Sequence, residues 1–182
     1  MSCISHHSDF LTALAYIYRP KIYVELGLYF GETINKVAPW CEEVYGVDTN
    51  IERVGVESRN ANKIRLFQNT TDNFFKSWDK SKKIDIAFID ADHKAESALR
   101  DLYNVLENLS EGGIVCMHDT DPISSYYTDP GLCGDSYKLV SVLEKDPRLN
   151  IITLPLAEAG LSIITRKGET RTQLRDNKEK ND

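Results

Sequence analysis

Residues 22–50 read IYVELGLYFGETINKVAPWCEEVYGVDTN, and this stretch decides the fold. Ile22, Tyr23, Val24 and Leu26 make a short apolar run rich in strand formers. Gly27 and Gly31 bracket a tight turn. Gly31-Glu32-Thr33 then opens a helix carrying Ile34, Val37, Ala38 and Trp40. Val44, Tyr45 and Val47 form a second strand that ends on Asp48. Strand, glycine turn, helix and strand in about 30 residues is one βαβ unit. Glycine lets backbone come close to a ligand, and an acid about 20 residues past such a turn is placed to accept from a ribose diol.

The glycine spacing then separates cofactor classes. A pyrophosphate nest needs G-x-G-x-x-G at a helix N-terminus, but here Tyr29 stands where the middle glycine would be. The turn is instead Glu25-Leu-Gly27-Leu-Tyr-Phe-Gly31, and an acid two residues before the first glycine suits a ligand with a cationic amino-acid end. This E-x-G-x-x-x-G turn resembles motif I of class I S-adenosylmethionine-dependent methyltransferases.

Around that unit, 182 residues are most simply one domain, taken as residues 1–167 with a polar, non-periodic tail at 168–182. A net charge of −6 argues against nucleic acid or an anionic membrane as partner. Cys3, Cys41, Cys116 and Cys133 have no C-x-x-C spacing and read as free thiols. No apolar run approaches the roughly 20 residues of a membrane span. The start MSCISHHSDF lacks a basic n-region and an apolar core, so a cytoplasmic location is expected.

In chain order, Ser8 is expected to cap a first helix stopped by Pro20, with His6 and His7 solvated ahead of it. Asn50 is expected to cap a helix to about Asn60. Ile64–Phe67 reads as a strand and Thr71–Trp78 as a short helix. Ile84–Ile89 (IDIAFI) reads as a strand buried on both faces. Lys94–Leu109 is an amphipathic helix. Gly112-Gly113 reads as a turn into a strand at Ile114–Met117. A loop over Asp119–Gly134 and a helix from Asp135 or Ser136 follow. Asn150–Leu154 and Leu161–Thr165 are joined by too short a link for a crossover, so they pair antiparallel. The sum is an α/β, doubly wound, mostly parallel seven-stranded sheet with an antiparallel last strand. That order resembles the Rossmann-like class I methyltransferase fold from about Pro20 to Lys167.

The chemistry concentrates in Phe88-Ile-Asp90-Ala-Asp92-His93, where the fourth strand ends, and in His118-Asp119, where the fifth ends. In open α/β sheets ligands bind outside the carboxyl ends of strands. One aspartate can serve as a helix cap, but a cap does not need two acids and a histidine. Such a set can hold magnesium or manganese over a substrate hydroxyl, or a histidine can act as general base.

FIDADH, then L-x-x-GG-I-V-x-x-H-D-T, is similar to a methyltransferase family that includes small-molecule O-methyltransferases. The catechol and caffeoyl-CoA types end the fourth strand in D-x-x-K. That resemblance implies Asp90 and Asp119 as metal candidates and His93 at the base position, with Asp90 and His118 beside it as catalytic candidates. Thr120 departs from the family's amide ligand. It also implies Glu25, Gly27 and Gly31 at the methionine end, Asp48 at the ribose, Asp90 nearby, and Thr70, Thr71 and Asp72 near the adenine. The implied cofactor is S-adenosyl-L-methionine with Mg2+ or Mn2+, and the implied acceptor a small polar molecule such as a sugar. A homodimer would compensate for the short N-terminal segment. A nicotinamide-dependent oxidoreductase, a silent cofactor-binding module and a hydroxylase-like relative are the alternatives the residues leave open.

Overall fold

The computed structural model describes residues 6–168. Cys3 and all of the expected 168–182 tail except Gly168 lie outside them. Seven strands form one sheet: β1 (Ile22–Leu26), β2 (Glu43–Asp48), β3 (Ile64–Gln68), β4 (Ile84–Ile89), β5 (Leu109–His118), β6 (Leu149–Leu154) and β7 (Leu161–Arg166). Their order is β3-β2-β1-β4-β5-β7-β6. β1 to β5 run parallel, while β7 pairs antiparallel with both β5 and β6. The order reverses between β1 and β4, which opens the crevice where a doubly wound sheet takes its ligand.

Alternating strand side chains feed two cores, as the pleat requires. Val24, Leu26, Ala87, Ile89, Val115 and Met117 face one layer. There they meet α3 (Thr71–Lys76), α4 (Ala95–Asn108) and the short α5 (Val140–Leu143). Tyr23, Phe88, Ile86 and Cys116 face the other. That side is covered by α1 (His7–Tyr18) and α2 (Glu32–Val37). All five residues of β1 are buried, which fixes it as the central strand.

Four sequence expectations need correction. Ser8 does not cap α1: it lies inside the first turn, buried, and its amide donates to Nδ1 of His6, the true cap. No helix spans 50–60, only 3-10 turns at Ile51–Arg53 and Ser58–Asn60. Gly55 between Val54 and Val56 weakens helix propensity there. The Asn35 amide also captures the segment, donating to Gly55 O at 2.6 Å and accepting from Glu57 N at 2.8 Å. Gly112-Gly113 is not a turn before β5 but part of it, where the pairing with β4 shifts register between Ile84 and Ile86. The helix expected from Asp135 is a 3-10 turn, Ser136–Leu139, that runs into α5.

Candidate active site

The glycine turn after β1 is held from two sides. Asp48, at the end of β2, accepts from the amides of Leu28 (2.9 Å) and Tyr29 (3.3 Å), and from Asn50 N (2.8 Å). Burial would raise its pKa, but these amides and the Arg53 guanidinium outweigh that and hold it low. Tyr29 and Gly31 both sit at positive φ, 50° and 86°. The Tyr29 ring is 66% exposed and lies edge-to-face with exposed Phe30 at 4.2 Å. Glu25 is buried beneath the turn and accepts from the Tyr23 hydroxyl at 2.7 Å. Burial pushes its carboxyl up to about 8, against the opposing pull of the Tyr23 bond.

The strand ends of β4 and β5 bring the expected cluster together. His118 Nδ1 lies 3.2 Å from both Asp90 Oδ1 and Asp119 Oδ1. Burial favours the neutral ring, but the two carboxylates outweigh it and raise the His118 pKa to about 10. Asp119 is held low: burial opposes this, and His118 overcomes it. Asp119 also adopts φ 60°, a conformation a non-glycine residue rarely takes and one that clusters at functional sites. His93 Nδ1 is buried and reaches 3.1 Å from Asp119 Oδ2 without hydrogen-bond alignment. Asp92 takes no part; it accepts from Lys94 N at the start of α4, where Asp135 supplies the stronger cap to Ala95 N at 2.7 Å.

Sequence reasoning missed His7. The first turn of α1 lays its ring on Phe88 (5.2 Å between centroids) and against His118 (4.4 Å). Burial and the neighbouring His118 charge push it down to about 3, so it is a neutral imidazole in the site. A helix beginning two residues earlier would have placed it there, but a His-His pair carries no such signal. Cys133 was missed as well: its thiol bonds Asp119, and burial raises it to about 12.

Two cavities meet here. One, of about 590 Å³, is lined by His7, Glu25, Phe88, Asp90 and His93, with Tyr29 at its side. The other, of about 330 Å³, is lined by Asn69, Thr70, Thr71, Asp72 and Asp101. Gly27, Asp48, Arg53 and Ala91 border both. Thr70 caps α3, Thr71 donates to Asp101, and Asp72 pairs with Arg100 and Asn104. These three residues therefore shape the smaller cavity while bracing α3 against α4.

Ligand atoms of Asp90, His93 and Asp119 all lie within 4.8 Å of one another. Two carboxylates and an imidazole are a donor set suited to a divalent ion of the manganese class, but the cationic His118 already holds both Oδ1 atoms and an ion would have to compete with it for them. Thr120 is buried with its hydroxyl unpartnered, in place of the amide the resemblance implies.

The shifts predict a stability profile. Folded Glu25 keeps a proton the unfolded chain loses, so stability falls as pH rises from about 4.5 to 8. His118, raised from 6.5 to about 10, adds stability below 6.5 that is lost as pH rises through 10. His7 acts oppositely: the unfolded chain gains its proton between 6.5 and about 3, so stability falls on acidification. Asp101, which burial raises from 3.8 to about 6, adds a further loss as pH rises through that range, so thermal melts should show a maximum near about pH 4.5 with loss on both sides. A midpoint still rising from pH 6.5 to 9 would contradict these assignments.

Among solved structures, the fold is similar to the O-methyltransferase TomG of Streptomyces achromogenes, solved in complex with SAM. Their TM-score is 0.72 at 13% identity, covering 92% of this chain and 84% of TomG. The SAH-bound methyltransferase PaMTH1 of Podospora anserina gives 0.69 at 18% identity, with 88% and 78% covered. An O-methyltransferase from Bacillus cereus, in complex with SAH, gives 0.66 at 16%, with 88% and 80% covered. No curated protein sequence matches the chain. No helix among the described residues is long and apolar enough to cross a membrane. The family profile described as a methyltransferase domain matches residues 24–120, from the middle of β1 past the cluster at His118 and Asp119. With more than half of its length matched, including every strand end that builds the site, this chain belongs to the methyltransferase-domain family.

Proposed function

We propose that the protein transfers a methyl group from S-adenosylmethionine to a hydroxyl of a small polar molecule, a sugar being the first class to try. One observation carries this reading: the glycine turn and the acid–histidine cluster open into the same cavity, which continues past Gly27 and Asp48 into the smaller one. A nucleoside fits the smaller cavity, its diol at Asp48. The amino-acid end then reaches Glu25, and the sulfonium comes to the side of Asp90 and His93. The exposed rings of Tyr29 and Phe30 offer faces on which a sugar or other flat molecule can lie. SAM-bound and SAH-bound structures of the same fold support the cofactor. The negative net charge speaks against a nucleic-acid acceptor.

Methyl transfer is an in-line displacement, so alignment does most of the work. The acceptor oxygen bonds to the methyl carbon as the carbon–sulfur bond breaks and its electron pair returns to sulfur. The hydroxyl proton leaves toward His93 or the carboxylates beside it. His118, charged between Asp90 and Asp119, fixes both carboxylates and offers positive potential to the developing oxyanion. A magnesium or manganese ion held by Asp90 and Asp119, with His93 as third donor, would lower the pKa of a bound hydroxyl.

Calorimetric titration with S-adenosylhomocysteine tests the reading. Micromolar binding is expected, weakened at least tenfold, about 1.4 kcal/mol, in Asp48→Ala. No binding by the wild type, with or without magnesium, would sink it.

A further inference from the structure

The cofactor reading places a ribose diol at Asp48, yet the carboxylate there is already fully engaged. An ionised carboxylate offers about four acceptor positions. Leu28 N, Tyr29 N and Asn50 N take three of them. Arg53 Nη2 lies across the remaining edge, 3.3 Å from Oδ2 and 3.4 Å from Oδ1. The three amides belong to the turns after β1 and β2 and cannot leave without unmaking them. Among the described residues Arg53 is the one side-chain donor to Asp48, 40% exposed against 6% for the Asp48 side chain. It borders both cavities at their junction. Its guanidinium already stands 5.3 Å from the centre of the exposed Tyr29 ring, a contact it can keep when it gives up Asp48.

Resting on that cofactor reading, we propose that Arg53 sets cofactor affinity by competing with the ribose diol for Asp48. A nucleoside reaches the carboxylate only when the guanidinium moves off it toward the Tyr29 face. Arg53 therefore opposes binding, although a cation beside a nucleotide pocket would ordinarily be taken for a ligand contact. The 3-10 turn that carries it, Ile51–Arg53, has no long helix behind it to hold the side chain in place.

Titration of S-adenosylhomocysteine into wild type, Arg53→Ala and Arg53→Gln decides the matter. Both variants are expected to bind at least threefold tighter than wild type. Raising sodium chloride from 20 mM to about 500 mM should tighten the wild type and leave the variants unchanged, because salt screens an exposed ion pair. Arg53→Gln keeps part of the stem over Tyr29 and serves if the alanine variant folds poorly. Tightening below threefold, or any weakening, overturns the competition while leaving the cofactor reading intact. A wild type that does not bind at all overturns that reading, and the competition with it.

Discussion

Gly27→Ala is expected to destabilise the protein by about 2–5 kcal/mol and to abolish binding of S-adenosylhomocysteine. Gly27 has φ 85°, where an L-residue costs about 1–2 kcal/mol. A Cβ there would stand 2.1 Å from Asp90 O and 2.7 Å from Ala91 Cα. Those atoms are backbone, so relief requires β1 and β4 to separate at the strand ends that form the site. Overpacking of that kind adds about 1–3 kcal/mol. The same strand ends are tied by Asp90 N to Leu26 O at 2.8 Å and Gly27 N to Val47 O at 2.9 Å, so the turn cannot yield alone. Gly55→Ala is the control: its nearest contact would be Phe30 O at 3.8 Å, and φ there is unremarkable for any residue. Urea unfolding of the two variants measures the difference. A cost below about 1 kcal/mol for Gly27→Ala would mean the crevice is far softer than its hydrogen bonds imply.

This glycine also shows why the fold was legible from residues alone. Gly27, the buried run of β4 and the amphipathic α4 are local patterns whose meaning does not depend on distant partners. The parallel run and the antiparallel last strand followed, because parallel strands need crossovers and the last link was too short for one. What misled was local propensity overridden by contacts far along the chain. Asn35 pulled residues 55–57 out of a helix, and the shifted β4–β5 register absorbed a glycine pair that resembled a turn. The acid–histidine cluster was readable because strand ends converge by topology. The place of His7 was not: α1 crosses the sheet before β1 begins, and nothing between His7 and Pro20 states which strand its first turn will meet. Arg53 was hidden for a related reason, since it was assigned to a helix that does not form.

His118→Ala is expected to cost about 3 kcal/mol near pH 6, in the range for removing one partner of a buried ion pair. His118 stands between two carboxylates, and Asp119 is 5% exposed. Without the ring, Asp90 and Asp119 face each other across a space that water fills only in part. Asp119 would also lose what holds its left-handed backbone in place. The dependence on pH separates this electrostatic role from simple packing. The wild-type advantage is whole below pH 6.5 on the basic side and is lost as pH rises toward 10, where the folded ring gives up its proton. On the acid side it narrows again, because the variant relieves its repulsion by protonating a carboxylate. A packing role predicts a constant difference at every pH, since the lost contacts carry no charge. Melting curves of the two proteins at pH 4, 6 and 10 distinguish them, and equal gaps at all three would refute the ionic role. His118→Gln sharpens the test: it restores most of the volume and one donor but no charge, so it should recover the packing share alone. If His118 acts as the cluster's resident cation, that variant remains pH-dependent relative to wild type, and the methyl acceptor meets two unneutralised carboxylates.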